Sequence, residues 1–288
     1  MKGAQHPIAV LAALTLIGAF VQRPGSLHAE AASALVTVQK GDLPIIISSP
    51  HGGTQPVPGV PERMVGGAGK FVKLRDGDTD VLASRIAEEI EKIMGARPHL
   101  VIARFHRKFI DANRPVAGAY ESAAAKAHYD AYHDALDAAC RDVRDRWGSG
   151  ILIDIHGQGT DQNAIFRGTI NGKSVQGLLA KFGKRAIAGP DSIAGQLAAR
   201  GHKVLPPCDD PEARETQWVG GHILATHAVG TGVDGVQLEF GRSFRKSDTL
   251  NATAKDVAGA VAVFAKAFLP AETRTPDPKP VGPKPPVP

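Results

Sequence analysis

The segment that most constrains this chain is residues 151–159, ILIDIHGQG. A run of apolar, mostly β-branched residues bounded by glycine reads as a short buried strand. Asp154 and His156 are two residues apart, so on a strand both point to the same face. In open α/β sheets, ligand sites form outside the carboxyl ends of the strands. A histidine at that edge, followed by glycines that let a ligand come close, is a candidate metal ligand or catalytic base. Taken alone, the segment also fits a histidine that merely bonds a neighbouring loop.

The surrounding pattern alternates between strand and helix. Residues 35–39 alternate as a short strand. Residues 44–49 (PIIISS) read as a buried strand running into Pro50-His51-Gly52-Gly53, followed by a loop rich in Gly and Pro up to about Gly69. The acidic stretch 75–80 (RDGDTD) feeds a helix over 79–94, with Leu82, Ile86, Ile90 and Ile93 on one face and Asp78 or Thr79 as its cap. A third strand follows at 99–103, then a short strand and turn at 107–115 (RKFIDANRP), then one long helix over 123–147. Beyond residue 159, a strand over 164–170 meets a hairpin-type turn at Asn171-Gly172. A helix over 192–200, a strand over 203–205, a partly helical stretch over 218–227, a strand over 235–240 (GVQLEF) and a helix over 248–268 complete the pattern. Such alternation predicts an α/β three-layer sandwich with a mostly parallel, mixed central sheet.

The ends differ from the middle. Lys2 precedes an apolar core over residues 8–21 (IAVLAALTLIGAFV), of signal-peptide length and shorter than a usual membrane span. Ala-rich candidate cleavage sites lie between Ala29 and Ala34. The expected organisation is a signal peptide over residues 1–34, a folded domain over 35–269 and a Pro/Lys-rich, polyproline-like tail over 270–288. The protein is then exported, periplasmic or secreted, and meets a membrane only through an uncleaved signal peptide. The net charge is +5, part of it at the two ends. The middle has no long Lys/Arg run and no basic–aromatic alternation, so no nucleic-acid partner is expected. Export permits a disulfide between Cys140 and Cys208. Two cysteines are too few for a thiolate zinc site, so any metal must use His and carboxylate.

Three strand ends present such groups: His51, His156 and Glu239. Between the two histidines lies the acidic cluster Asp76, Asp78 and Asp80. Two imidazoles and one carboxylate with an open position make the usual ligand set of one catalytic Zn2+ ion. A separate carboxylate is then wanted for proton transfer. Glu239, a charge inside an apolar strand, suits that role or pairs with an arginine such as Arg242. Asp154 can support a metal ligand from behind. Asn113 and Arg114, at a proline turn, suit a substrate carboxylate, with Arg107 as a second cation and Asp111 holding the turn.

PIIISSPHGG, RDGDTDVLASRI, RKFIDANRP, ILIDIHGQG and GVQLEF, in that order, resemble the N-formylglutamate amidohydrolase family over roughly residues 36–268. The resemblance implies a zinc-carboxypeptidase-type, phosphorylase/hydrolase-like α/β fold with a metal-dependent amide hydrolase site. It implies that His51 and His156 bind the metal and that one Asp of RDGDTD completes the set. The spacing of that motif to Leu82 favours Asp76. It further implies that Asn113 and Arg114 hold substrate carboxylate and that Glu239 transfers protons. The chain departs from the family in having His-Gly-Gly at residues 51–53, and in lacking an arginine after Gly220-Gly221-His222. The expected activity is cleavage of the amide bond of an N-acyl amino acid, N-formylglutamate-like, or of a small peptide with a free carboxylate. The alternatives are a cell-wall peptide carboxypeptidase or amidase, and a non-catalytic secreted binding protein on the same fold.

Overall fold

Seven strands form one sheet in the order β1-β3-β2-β4-β7-β5-β6. They are β1 (Val36–Gln39), β2 (Ile45–Ser49), β3 (His99–Ala103), β4 (Ile151–Gly157), β5 (Ala164–Gly168), β6 (Lys203–Leu205) and β7 (Asp234–Phe240). The structure, a computed structural model, describes residues 34–65, 71–210, 212–271 and 273. The proposed signal core and nearly all of the Pro/Lys tail lie outside these residues. Among the described residues no helix is long and apolar enough to cross a membrane.

The four central strands, β3, β2, β4 and β7, are parallel. The edges reverse: β1 is antiparallel to β3, and β5 is antiparallel to β7 while running parallel to β6. Central parallel strands are covered on both faces, which is why PIIISS and ILIDI read as nearly unbroken apolar runs. The period of two still sorts their side chains. Ile45, Ile47, Ile151, Ile153 and Ile155 pack on one face against helices α1 (Thr79–Met94), α4 (Ile193–Ala199) and α6 (Leu250–Phe268). Helix α3 (Gln176–Phe182) joins that layer through Leu178. Ile46 and Leu152 face the other way, against α2 (Lys126–Trp147) and α5 (His222–His227), among Tyr132, Leu136, Val143 and Leu224. Asp154 has the parity of Leu152, and Glu239 is out of phase with Leu238. The polar residues of the strand ends therefore share the α2 face.

Several local expectations give way to tertiary context. Residues 107–115 form turns and no strand; only Phe105 just before them makes an isolated bridge, to Gln55. Asn171-Gly172 adopts positive φ as a turn should, at 50° and 91°, but leads into a short 3-10 helix and joins no hairpin. The cap of α1 is Asp78 in left-handed conformation with no side-chain bond; instead Thr79 Oγ1 donates to the Asp76 carbonyl at 2.8 Å. Ile93 lies at the exposed margin of the helix rather than in its apolar face. The 176–182 helix carried too short an apolar period to be read. Cys140 and Cys208 are free thiols that pack against cores on opposite faces of the sheet, which separates them.

The glycines after His51 let the loop lie flat. A Cβ at Gly53 would stand 2.4 Å from the Arg104 carbonyl carbon and 2.5 Å from the Phe105 oxygen, both backbone atoms that cannot swing away. Gly53→Ala is expected to lower unfolding stability by about 1–3 kcal/mol, as overpacking does. Urea denaturation followed by circular dichroism checks this, and an unchanged midpoint would contradict the tight contact.

Candidate metal centre and its cavity

The parallel register brings the polar strand positions into line. Ser48 stands beside Asp154, Asp154 beside Gln237, and His156 beside Glu239. His51 follows β2 directly, and Asp76 lies just before α1. The four strand ends and the loops after them thus converge at the carboxyl edge of the sheet, as the topology favours.

His51 Nδ1 and His156 Nδ1 both face Asp76 Oδ2, at 3.3 and 3.2 Å. The ligand atoms of the three residues lie within 4.8 Å of one another, and all three side chains are buried. The far nitrogen of each ring points to another carboxylate. His51 Nε2 donates to Asp111 Oδ1 at 2.7 Å, and His156 Nε2 donates to Asp154 Oδ2 at 2.8 Å. An ionised carboxylate only accepts, so these bonds place a proton on Nε2 of each ring and turn Nδ1 inward. Ser48 Oγ donates to Asp154 Oδ1 at 2.6 Å, and the Asn113 amide donates to Asp111 Oδ1 at 3.1 Å, which fixes both supports.

This donor set fits a zinc ion. Ligand bonds of about 2.0–2.2 Å in a tetrahedron put neighbouring donor atoms about 3.3 Å apart, which is the spacing between each Nδ1 and Asp76 Oδ2. Imidazoles backed by carboxylates are also the usual metal-site arrangement. Burial would raise the Asp76 carboxyl, but in the metal-free site, with the rings protonated on both nitrogens, the charge of His51 and hydrogen bonds from His156 and His51 hold it well below the ordinary carboxylate range. Burial likewise opposes ionisation of Asp111, yet His51, Arg107 and Arg114 hold its carboxyl far down. Both carboxylates are therefore ready as anions.

Glu239 differs. Its Oε1 lies 4.0 Å from His156 Nδ1 and accepts from Gln237 Nε2 at 3.0 Å. Its Oε2 is buried without a partner, and no arginine pairs with it among the described residues. Burial, reinforced by the Asp76 and Asp154 charges and opposed by His156 and Arg107, pushes its carboxyl up to about 8. Buried carboxyls with shifted affinity for protons are candidates for acid–base work.

The arginines divide. Arg107 is engaged with the site's own carboxylates, donating from Nε to Asp111 Oδ2 at 2.9 Å and from Nη1 to Asp76 Oδ1 at 3.4 Å. Arg114 Nη1 donates to the Asn113 carbonyl at 2.9 Å, and the Tyr129 hydroxyl donates to the Arg114 carbonyl at 2.9 Å. Asn113 Oδ1 accepts from the Ile223 amide at 2.9 Å, and its Nδ2 lies 3.4 Å from His156 Nε2. Asp76, Glu239, Arg107, Asn113 and Arg114 all line one cavity of 850 Å³ with the two histidines. Asp78 and Asp80 turn away, Asp80 to Arg104 at 3.1 Å. Gln237, Arg245 and Trp218 also line the cavity and were not read from the sequence. Gln237 was legible in principle, two residues before Glu239 on the same strand face. Arg245 and Trp218 reach the site through loops and carry no local signal; Trp218 does so in left-handed conformation, at φ 54°.

No protein-family model and no curated protein matches the sequence. Among solved structures, the chain is similar to N-formylglutamate amidohydrolase from Ralstonia eutropha JMP134, with a TM-score of 0.58 at 16% identity, covering 82% of this chain and 98% of that one. It is similar also to a gene product of Agrobacterium tumefaciens, with a TM-score of 0.52 at 17% identity, covering 83% of this chain and 96% of that one. The chain thus has the fold that the five motifs implied, and at these identities the likeness shows the fold alone.

The purified protein is expected to retain one zinc ion per chain after dialysis, measured by inductively coupled plasma mass spectrometry. His156→Ala should lose it, and full occupancy in that variant would rule out this centre. Asp154→Asn, which keeps shape but removes the charge behind the ring, should weaken zinc about 10–100-fold in a chelator competition.

Proposed function

We propose that the protein is an exported, zinc-dependent hydrolase of amide bonds. Its substrate is an N-acyl amino acid or small peptide with a free carboxylate. The observation that carries this reading is the convergence of His51, Asp76 and His156 beside the unpartnered Glu239 oxygen, inside a cavity that also presents Arg114. His51, Asp76 and His156 would hold the metal. When bound, zinc supplies Lewis acidity toward the amide carbonyl and lowers the pKa of a water.

The chain's own residues account for the rest. Asp111 and Asp154 lock the two rings with Nδ1 inward, so neither imidazole has to reorganise during turnover. Glu239 in its ionised form takes the water proton at Oε2 and returns it to the leaving nitrogen as the C–N bond breaks and the C–O bond forms. Burial raises its proton affinity, which helps it hold the proton between the two halves of that transfer. Gln237 orients it through Oε1. Arg114, on the turn closed by Asp111, supplies a cation for the substrate carboxylate, and Asn113 a side-chain amide beside it. Arg107 contributes chiefly by neutralising Asp76 and Asp111. Export rests on the apolar core over residues 8–21 with its Ala-rich flank.

Glu239→Gln is expected to keep zinc and to lose turnover by about 10²–10⁴-fold. A panel of N-acyl amino acids and muropeptides, assayed beside metal analysis, checks this. Unchanged turnover would remove Glu239 from the mechanism, and zinc-loaded wild type inert toward the whole panel would point to a binding protein. Expression in an export-competent bacterium should yield a mature chain starting between residues 30 and 35, read from intact mass; an unprocessed chain would contradict the signal peptide.

A further inference from the structure

The cavity does not end at the metal centre. Arg75, Arg242 and Arg245 line it, and the same three residues line an adjoining cavity of 910 Å³ that Arg107 and Arg114 do not reach. The adjoining cavity adds Lys246 to the cations, against Asp78 and Asp248. The two hollows are therefore joined by a junction of three guanidinium groups.

Each arginine is differently committed. Arg75 Nη1 donates to the Gly52 carbonyl at 3.1 Å, and its Nη2 lies 4.0 Å from Asp78, a loose pair. Arg245 is half-buried. It donates from Nε to the Phe240 carbonyl at 3.1 Å and from Nη1 to the Gly77 carbonyl, and meets no carboxylate at ion-pair distance among the described residues. Arg242 is exposed, and its side chain makes no hydrogen bond or ion pair among the described residues. The junction lies next to the chemistry. A Cβ on Gly157 would stand 2.6 Å from Arg245 Cζ, so the guanidinium packs directly on the residue after His156. A guanidinium withdrawn from water without a counter-ion is costly, and an anion recovers that cost by bidentate bonding.

From this we infer that the substrate is anionic on both sides of its scissile amide, with one carboxylate toward Asn113 and Arg114 and a second anionic group, one arm away, seated at the Arg242–Arg245 junction. The inference rests on the hydrolase reading above and narrows it to acyl groups that themselves carry a carboxylate. The size of the adjoining cavity leaves room for the chain to continue beyond that group.

The test uses a pair differing by one carboxylate, N-glutaryl-alanine and N-pentanoyl-alanine, with the zinc-loaded full chain. The glutaryl compound should be favoured about tenfold or more in kcat/KM, the size expected of a charge-assisted contact. Arg242→Ala should bring the ratio close to 1, and Arg242→Lys should restore most of it. Equal rates on the two compounds, or a preference that survives Arg242→Ala, would overturn the inference. Isothermal titration of both compounds into Glu239→Gln, with and without Arg242→Ala, separates this from failure of the hydrolase reading. If the wild type hydrolyses neither compound, a glutaryl preference in binding that Arg242→Ala removes still supports the junction, whereas equal affinities refute it.

Discussion

One carboxylate oxygen holds the site together. Asp76 Oδ2 faces Nδ1 of both histidines and accepts from the Gly157 amide at 3.1 Å. The Asp76 backbone amide donates to the His51 carbonyl at 3.0 Å, and its carbonyl receives Thr79 Oγ1. A single residue thus ties the loop after β2, the start of α1 and the end of β4. Without it, two imidazoles with ring centroids 4.8 Å apart would face each other in a buried place, and Arg107 would lose one of its two partners. Breaking a buried charge pair by deleting one member typically costs about 3–5 kcal/mol. The same crowding explains why a cation belongs there. Burial opposes charge on His156, yet Asp154, Asp76 and Glu239 raise its proton affinity well above the ordinary imidazole range. The same carboxylates favour a cation in this pocket, the condition a metal centre needs.

The carboxylates behind the rings show how a parallel sheet makes such a pocket. Asp154 sits two residues before His156, so the strand itself delivers ligand and support on one face. Asp111 must come from elsewhere, and its turn is held by Arg107 and by the Asn113 amide. The first support is encoded by spacing along one strand, and the second by the closing of a loop against the sheet edge.

That difference explains what could be read from the chain in advance. Apolar runs and period-two spacing placed β2, β4 and β7, and with them His51, Asp154, His156 and Glu239, because strand geometry is local. The spacing of RDGDTD to Leu82 favours Asp76 among its acidic neighbours, and the structure sets it apart for a reason the motif does not contain: Asp80 is drawn to Arg104, and Asp78 is spent in the left-handed cap of α1. Segment 107–115 reads from sequence as starting in a strand, whereas it forms turns that bring Asp111, Asn113 and Arg114 to the sheet edge. Trp218 and Arg245 were silent, since nothing near them in sequence marks which loop will return to the site.

The cations complete the electrostatic logic. Asp76 and Glu239 line the cavity, with the carboxylates of Asp111 and Asp154 behind the two rings, and an anionic substrate approaching Asp76 unaided would be repelled. Arg107 lies between Asp76 and Asp111 and cancels part of that field at short range, where low dielectric makes the cancellation strong. The remaining arginines stand further out. Arg114 is on the turn beside Asn113, and Arg242 and Arg245 follow β7, with Arg245 packed on Gly157. Such a layout, negative at the floor and positive at two points of the wall, attracts anions to the wall and a cation to the floor. On the reading proposed above, a substrate amide would lie between these two points with its charged ends held, so that orientation would precede chemistry.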